Sequence, residues 1–546
     1  MNFQTRIFVA VALCAVIYIV FGVLNPPPPP EETDEVALAE TKDGKADAGK
    51  ADAEGTVKAV AKVDEPEVDP TVEAVEVIEH QISNDLLGLT VTNESPGRGG
   101  LVSAVQLHSP QFEGHLTASD SLALAGKPTL EISLTDDDGN LLVPRGAGYE
   151  VREQSSEHIT LAYVGKGVEV IERLQILEGY EGRLSVEVKN LGTDTLASRL
   201  HIRSRIGFSE SRYDIRRGLC RTQEDVEDED KSDVEDGPIR YRNGILWGGV
   251  DGKYFTSLLV PLAPAQECEI NLSEDGELLE GRLSTVTQEI GPGSVGTHEF
   301  GLYIGPKELE RLKAFSAVDA GIELDEAIDW GFFGGLSESV GKLLLALLRW
   351  FHGLVHNWGF SIVLLTVVVK AALLPLTLKQ MSSMKRMKEI QPEIAKIKEK
   401  YGDDRAKQGQ EMQALFSRSG VNPLAGCLPM VVQLPIWFAL YSMLGAAVEL
   451  VHEPFLWLPD LTEQDPYYVL PLALGALMIL QNRMMPSTMD AAQAKLMRWV
   501  MPIMFTVFML VLPSGLGVYI FANIVLSLIQ TAIQVGTNKT ADATAS

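Results

Sequence analysis

The chain has 546 residues, a net charge of −28 and 46% hydrophobic residues, so it exceeds the size of one ordinary domain. Residues 1–335 carry 29 Lys and Arg against 60 Asp and Glu, whereas residues 336–546 carry 17 against 14. A surface as acidic as the front half repels phosphates, which excludes direct binding of nucleic acid there. The sequence lacks the motifs of P-loop ATPases, HExxH metalloproteases and GxSxG hydrolases. We therefore expect no enzyme activity, no catalytic residue, no cofactor and no metal site.

Six apolar runs have the length of a membrane span. They lie at about 7–24, 358–378, 423–447, 467–485, 497–512 and 516–535. This pattern predicts a polytopic α-helical membrane protein with six transmembrane helices. Residues 1–24 are predicted to be an uncleaved N-terminal anchor, because no small-x-small cleavage site follows the apolar run. A cleaved signal peptide is the alternative.

Lys and Arg residues in the short connections indicate the orientation of the spans. Segment 379–420 holds ten of them, whereas segment 448–466 holds none and has five acidic residues. Positive residues stay on the cytoplasmic side of a membrane. Both termini are therefore predicted to be cytoplasmic, with residues 25–335 on the outer side.

The outer part divides into a tether and a folded domain. Residues 25–72 are Pro-, Ala- and acid-rich, which is typical of a disordered tether. Residues 73–320 alternate apolar and polar residues in short runs between turn signals, which predicts a large all-β sandwich. Its acidic segment 222–237 is interpreted as a solvated loop, with a calcium loop as the weaker alternative because the ligand spacing does not fit.

The two cysteines of this domain, Cys220 and Cys268, are candidates for a disulfide, since the outer side of a membrane permits oxidation. The sequence cannot give their separation. The other two cysteines, Cys14 and Cys427, lie in predicted spans and are interpreted as packing residues.

Residues 321–357 are predicted to connect the β domain to the spans through an amphipathic interfacial helix at 337–353. Its predicted apolar face consists of Val340, Leu343, Leu344, Leu347, Leu348 and Phe351. The start of a tilted span is the alternative.

On the cytoplasmic side, a helical hairpin is predicted at 379–420, a loop at 486–496 and a short tail at 536–546. Methionines recur there, and their flexible side chains suit a surface that accepts varied partners. The candidates for contact with such partners are Met381, Met384, Met387, Met412, Met484 and Met485. The alternative is that the methionine stripe of the hairpin forms its own internal seam.

Lys370 stands inside the apolar run 361–377. A lysine at the centre of a membrane helix costs about 2.5–3.5 kcal/mol on insertion scales. Either its ammonium reaches the cytoplasmic surface, which strains a lysine stem across about 12 Å of helix, or a polar cavity receives it.

Several segments resemble, in order and spacing, the YidC/Oxa/Alb family of membrane protein insertases, in its Gram-negative form with a large periplasmic domain. They are "NWGFSIVLLTVVVKAALLPLT", "QPEIAKIKEKYGDD", "NPLAGCLPMVVQLPIWFALY", "DPYYVLP" and "MPIMFTVFMLVLPSGLGVYIFAN". The resemblance implies a five-helix core at 358–535 around a polar groove, in the bacterial inner membrane. It also implies that the chain inserts nascent membrane proteins into the lipid bilayer, alone or beside the Sec translocon.

The resemblance assigns the positive charge of the groove to Lys370, where the family typically has arginine. Lysine keeps the charge but lacks the planar guanidinium that can form two parallel hydrogen bonds. Thr366 and Gln433 match polar groove positions of the family. Tyr519, Asn523 and Ser527 recur at four-residue spacing and are expected to face the same cavity. The hairpin and the 486–496 loop are the candidates for contact with ribosome or signal recognition components. Two other functions stay open: a small-solute transporter and a membrane-anchored periplasmic protein that binds or modifies carbohydrate.

Overall fold

The structure is a computed structural model. It describes residues 77–93, 102–108, 112, 129–208, 216–318, 322, 324–331, 335–402, 404–420, 428–484 and 496–545. The predicted anchor at 1–24 and the predicted tether at 25–72 lie outside these residues, as do Cys14, Cys427 and Met485.

Eighteen strands form the β domain within the described residues. In chain order they are β1 (Glu79–Ser83), β2 (Leu87–Thr92), β3 (Val102–Leu107), β4 (Leu130–Thr135), β5 (Glu150–Gln154), β6 (His158–Gly165), β7 (Val168–Ile176), β8 (Glu181–Asn190), β9 (Leu196–Gly207), β10 (Arg217–Arg221), β11 (Val226–Asp230), β12 (Ile239–Ile245), β13 (Trp247–Asp251), β14 (Phe255–Pro261), β15 (Ala265–Leu272), β16 (Leu278–Ser284), β17 (Gln288–Ile290) and β18 (Val295–Pro306). They make two nine-stranded antiparallel sheets. The first sheet has the order β1-β2-β3-β4-β9-β16-β15-β12, with β17 on β9, and the second has the order β11-β10-β13-β14-β18-β8-β7-β6-β5.

Alternation along the strands explains the sandwich. In β7, every second side chain is buried, namely Val168, Val170, Glu172, Leu174 and Ile176, and the side chains between them are half-buried or exposed. Such a strand has one apolar face, which must pack against a second sheet. The predicted all-β sandwich is confirmed, and its strands run from Glu79 to Pro306.

The acidic segment 222–237 is not simply the solvated loop that we expected. Its residues Val226–Asp230 form β11, which pairs with β10 along its whole length. Tyr241 from β12 also donates a hydrogen bond to Glu229. The backbone pairing overrides the low strand propensity of a run of acids, because an edge strand can leave charged side chains in water.

Cys220 on β10 and Cys268 on β15 form a disulfide in the structure, with 6.0 Å between their Cα atoms. The bridge joins the two sheets across the core, and both residues are fully buried. Cross-linking positions 48 residues apart removes freedom from the unfolded chain, which is typically worth about 2–4 kcal/mol.

Eight α-helices follow within the described residues. They are α1 (Leu309–Lys313), α2 (Gly335–Val355), α3 (Trp358–Lys400), α4 (Arg405–Ser419), α5 (Leu428–Ala446), α6 (Val469–Met484), α7 (Met501–Met509) and α8 (Ser514–Ala545). A π-helical turn, Leu496–Val500, leads into α7. Helix α2 packs against α3 and α5, and α8 packs against α3 and α6, so α3 and α8 are central to the helical half.

Two helix boundaries differ from the sequence-based expectations. Helix α3 continues without a break from the apolar run into the first arm of the hairpin, although it contains Pro375 and Pro392. Helix α8 runs to Ala545 and takes in most of the tail predicted at 536–546. Within the described residues, α3 and α8 are the two helices that are both long and apolar enough to cross a membrane, at Trp358–Leu378 and Ser514–Ile533. The count of six spans therefore stays a prediction.

The amphipathic helix buries most of the face that we predicted, with one position exchanged. In α2, Leu344, Leu348 and Phe351 are buried as expected, but Leu343 is 60% exposed and Leu345 is 5% exposed. The buried stripe is shifted because α2 packs against two helices, α3 and α5, rather than along a single surface.

Candidate functional site

Helix α3 carries the central candidate, Lys370. The Asn357 side chain caps the helix by accepting a hydrogen bond from the backbone N–H of Phe360, which satisfies a donor that the first turn leaves free. Ile362 and Leu365 are buried against neighbouring helices, whereas Val367 and Val368 are exposed. The face of α3 that carries Val367 and Val368 is thus not covered by other described residues, as expected of a surface that faces lipid.

Lys370 is half-buried between α3 and α8. Its Nζ donates a hydrogen bond of 2.7 Å to the Oγ of Ser527. The Ser527 hydroxyl in turn donates to the backbone carbonyl of Asn523, at 2.8 Å. No carboxylate contacts Lys370 among the described residues. One hydroxyl therefore receives the ammonium in surroundings that are otherwise mainly apolar.

Two of the predicted groove residues are packed more tightly than we expected. Thr366 and Tyr519 are each only 1% exposed. The Thr366 hydroxyl donates to the carbonyl of Ile362 in its own helix, at 2.7 Å. This internal hydrogen bond satisfies the hydroxyl, so Thr366 is a wall residue of the α3 interface. Asn523 is half-buried. Gln433 lies on α5, and its side chain is outside the described part of the structure.

The polar series on α8 is longer than the sequence analysis anticipated. Thr531, one turn beyond Ser527, is 9% exposed and donates to the Ser527 carbonyl at 2.8 Å. The buried amide nitrogen of Gln530 has no hydrogen-bond partner among the described residues. The same four-residue spacing that pointed to Tyr519, Asn523 and Ser527 continues to Thr531, so the sequence carried a signal for it.

Ion pairs made by α2 link the helical half to the β domain. Arg349 on α2 donates to Glu449, which precedes α6, with an Nε–Oε1 distance of 2.8 Å, and also reaches Glu310 on α1 at 3.5 Å. Lys342 on α2 contacts Asp325 and Glu338, each at 2.7 Å. The charged residues of α2 are thus engaged in ion pairs that hold the helix in place.

Two methionines of the hairpin, Met387 and Met412, have described side chains, and both pack between α3 and α4. Met387 is 9% exposed and clusters with Ile394 and Leu415, and Met412 packs against the same cluster. In this arrangement the hairpin seam uses Met387 and Met412, as our alternative held, and contact with a client would require the hairpin to open. The side chains of Met381, Met384 and Met484 and the whole of Met485 lie outside the described part of the chain.

Two family models match the chain, and the short gap between them lies within α2. The model described as "YidC periplasmic domain" matches residues 103–342, and the model described as "60Kd inner membrane protein" matches residues 350–541. Together they cover both halves of the molecule. The β domain is accordingly a periplasmic domain of this type.

Curated relatives agree with these matches. The chain is 42% identical to a membrane protein insertase YidC of Anaeromyxobacter sp., over 59% of this chain and 57% of that one. It is 34% identical to a membrane protein insertase YidC of Geobacter sp., over 67% of each chain. In the Anaeromyxobacter relative the matched part is thus less than two-thirds of the length.

Solved structures give a weaker likeness. A YidC crystal structure from Thermotoga maritima is 15% identical, with a TM-score of 0.31, over 84% of this chain and 99% of that one. The two family models and the identity to the Geobacter relative are sufficient: the chain belongs to the YidC family of membrane protein insertases.

Proposed function

We propose that this protein inserts nascent proteins into the bacterial inner membrane and helps them fold, without covalent chemistry and without hydrolysing a nucleotide. The observation that carries the proposal is Lys370, a cation held by the hydroxyl of Ser527 between two long apolar helices. A cation so placed costs free energy, and membrane proteins retain such residues mainly where they function.

The polar track on α8 provides the surroundings for this cation. Asn523, Ser527, Gln530 and Thr531 follow one another at helical spacing beside Lys370. Water held along this track would shorten the dry path that a client's polar tail must cross, because burial of unpaired polar groups is what blocks crossing. An acidic tail would be attracted by Lys370, since charges in a poorly screened site interact more strongly than in water.

Release of the client needs no further energy source. Its apolar segment leaves sideways into lipid because apolar surface gains free energy away from water. The π-turn and α7 together, Leu496–Met509, span about 21 Å at 1.5 Å per residue, which is less than the hydrocarbon core of about 30 Å. A bilayer thinned at α7 would accommodate this shortfall and ease the passage.

The orientation in this proposal follows the Lys and Arg distribution. The hairpin of α3 and α4 lies in the cytoplasm with both termini, and the β domain lies in the periplasm. The hairpin and the 486–496 loop are the surfaces for ribosome or signal recognition components, and the Sec translocon is a lateral partner in the membrane. The groove consists of Lys370, Ser527 and Asn523, with Gln433, Thr366 and Tyr519 in or behind its wall.

The test is insertion of a short membrane client with an acidic tail into liposomes that contain the purified protein. Wild type and Lys370→Arg are expected to insert it, because both carry the charge, and Lys370→Ala is expected to lose at least about tenfold in rate. Protease protection of the translocated tail measures insertion.

A matched control is Thr377→Val, which removes a polar group from the same helix whose hydroxyl bonds only its own backbone, at Leu373. This variant is expected to behave as wild type. Equal insertion by wild type and Lys370→Ala would refute the role of the charge. Failure of the wild type with this client and with a neutral-tailed client would refute the insertase function itself.

A further inference from the structure

Glu172 differs from the other buried acids of the described structure. Six acidic side chains are less than 9% exposed: Glu172, Asp251, Glu269, Asp325, Asp460 and Asp465. Asp251, Glu269 and Asp325 contact Lys or Arg, and Asp460 and Asp465 accept hydrogen bonds from backbone N–H groups. Glu172 has neither kind of partner among the described residues. Its one hydrogen bond comes from the hydroxyl of Tyr149, at 2.8 Å.

An uncompensated carboxyl of this kind is costly. Glu172 is 5% exposed and lies on the same face of β7 as buried Val170 and Leu174, so it points toward the space between the two sheets. Burial raises its pKa from an ordinary 4.5 to about 7, and the Tyr149 hydrogen bond only partly opposes that rise. Such groups are found where a binding or catalytic site needs them more often than in ordinary cores.

Glu172 lines a partly enclosed cavity at the edge of the sandwich. The cavity measures about 60 Å³, and its polar lining is contributed by Glu131, Ser133, Arg145, Tyr149, Glu172 and Arg203. Because one water molecule needs about 10–15 Å³ on this measure, the space suits about four waters or the end group of a ligand. It lies beside β4, which pairs with β3 at Val102 and Leu130 within the described residues, and beside residues 141, 143, 145 and 149.

Some of the lining groups are engaged and others are not. Arg203 pairs with Glu280 at 3.5 Å, and Glu131 pairs with Arg205. The guanidinium of Arg145 and the hydroxyl of Ser133 form no hydrogen bond or ion pair with other described side chains. The cavity thus presents one unused positive donor, one hydroxyl and the second oxygen of a buried carboxyl.

We propose that this cavity binds a vicinal diol, such as the end of a polyol, a sugar or a glycerol headgroup. One ligand hydroxyl accepts a hydrogen bond from Arg145, and its neighbour pairs with the free oxygen of Glu172. A hydroxyl both donates and accepts, so it fits either protonation state of Glu172. A carboxylate ligand would satisfy Arg145 but face Glu172, and an amine would satisfy Glu172 but face Arg145.

The experiment is saturation-transfer NMR on the full-length protein in phosphatidylcholine nanodiscs, with empty nanodiscs as the baseline. The probes are galactose, glycerol and 1,3-propanediol. Galactose and glycerol carry adjacent hydroxyls, whereas those of 1,3-propanediol are not adjacent. We expect signals from galactose and glycerol and about tenfold less from 1,3-propanediol. Equal signals from all three probes, or none from any, would overturn the proposal.

Three variants locate the binding. Arg145→Met and Glu172→Met should each weaken the galactose signal about tenfold. Arg173→Met is the matched control, because Arg173 neighbours Glu172 on β7 but is exposed on the other face and pairs with Glu187. Arg145 is only half-buried, so its variant tests the site even if Glu172→Met unfolds the domain. Loss of signal in Arg173→Met to the same degree as in Arg145→Met would contradict the assignment.

A second arm separates the two sources of a diol. Nanodiscs that contain phosphatidylglycerol present glycerol headgroups at the membrane surface. If they abolish the galactose signal of the wild type, a lipid headgroup occupies the cavity. If the signal persists, the ligand is a soluble polyol or glycan. Either result supports the diol chemistry and identifies its source.

Discussion

Lys307 in the β domain and Lys370 in the helical half are both withdrawn from water, but their partners differ. Lys307 contacts the fully buried carboxylate of Asp251 at 3.1 Å, and Arg217 contacts the same carboxylate at 2.9 Å. Burial lowers the pKa of Lys307, and the neighbouring Asp251 opposes that change. Lys370 has the neutral hydroxyl of Ser527 instead. The first arrangement neutralises charge inside the protein, whereas the second leaves a positive charge without a carboxylate partner among the described residues.

The junction between the halves extends the first arrangement. Arg217 also reaches Asp329 at 3.4 Å, and Arg221 contacts Glu326 through the same connecting segment. This segment leads directly into α2, where Lys342 binds Asp325. The ion pairs of the β domain are therefore followed by ion pairs at the start of the helical half. Lys370 does not belong to this series, so the two kinds of cation site are also separated along the chain.

The largest expected effect comes from breaking the paired site. Asp251→Ala would leave Arg217 and Lys307 buried without their shared carboxylate, and loss of one partner of a buried pair costs about 3–5 kcal/mol. Urea unfolding of the full-length protein in detergent, followed by the near-ultraviolet signal of the β domain, measures this loss. Asp329→Ala, which removes the partly exposed partner of Arg217, should cost less than about 1 kcal/mol. Equal losses would mean that burial of the carboxylate is irrelevant.

A second prediction concerns Glu172, the buried acid without a cation. The unfolded chain ionises this carboxyl near pH 4.5 and the folded domain near pH 7, so between these values the folded state holds an extra proton. Its contribution to stability is complete below pH 4.5 and is lost as the pH rises through 7. A shift of this size corresponds to about 3 kcal/mol at 1.36 kcal/mol per pH unit.

The measurement is the difference in unfolding free energy between wild type and Glu172→Gln at pH 4.5, 6 and 8. The glutamine variant cannot ionise, so its advantage over wild type should grow across this window and level off above it. The half-buried Glu181, whose pKa is also raised by burial, stays present in both proteins and cancels from the difference. A constant difference from pH 4.5 to 8 would show that Glu172 titrates normally.

The smallest expected effect sharpens the comparison between the two lysines. Lys370→Met should stabilise the helical half by about 1–3 kcal/mol, because an apolar side chain replaces a charge in an apolar setting. Lys307→Met should destabilise the β domain, because it leaves Asp251 with one cation fewer. Thermal unfolding midpoints of both variants and of the wild type, measured in the same detergent, show whether each substitution stabilises or destabilises the protein. If both variants lower the midpoint, Lys370 is a structural residue like Lys307.

Much of the architecture could be predicted because it rests on local patterns. Alternation predicted the sandwich, and periodicity predicted helix both in the apolar run and in the first arm of the hairpin. It did not predict that the two form one 43-residue helix through Pro375 and Pro392. Periodicity identified most of the buried face of α2 but could not fix its exact limits, because these depend on where α3 and α5 lie. Thus Leu345 took the place that we had assigned to Leu343.

The site was predicted unevenly for the same reason. Spacing on α8 identified Ser527, and the apolar run identified Lys370, but the 2.7 Å contact between them joins positions 157 residues apart. Thr366 was expected to face a polar cavity, yet its hydroxyl bonds its own helix. The cavity at Glu172 had no signal at all in the sequence, where this acid is one charge in an ordinary alternating strand.

The sequence by itself determined the division into an acidic β domain and an apolar helical half, the cost of Lys370 and the candidates for a disulfide. These features depend on the composition and on the spacing of apolar residues along the chain, which are local properties of the sequence. Only the tertiary structure decided that Cys220 meets Cys268, that Ser527 receives Lys370 and that Glu172 is buried without a cation. Each of these depends on which distant element packs against which, and burial then sets the free energy of every charge it encloses.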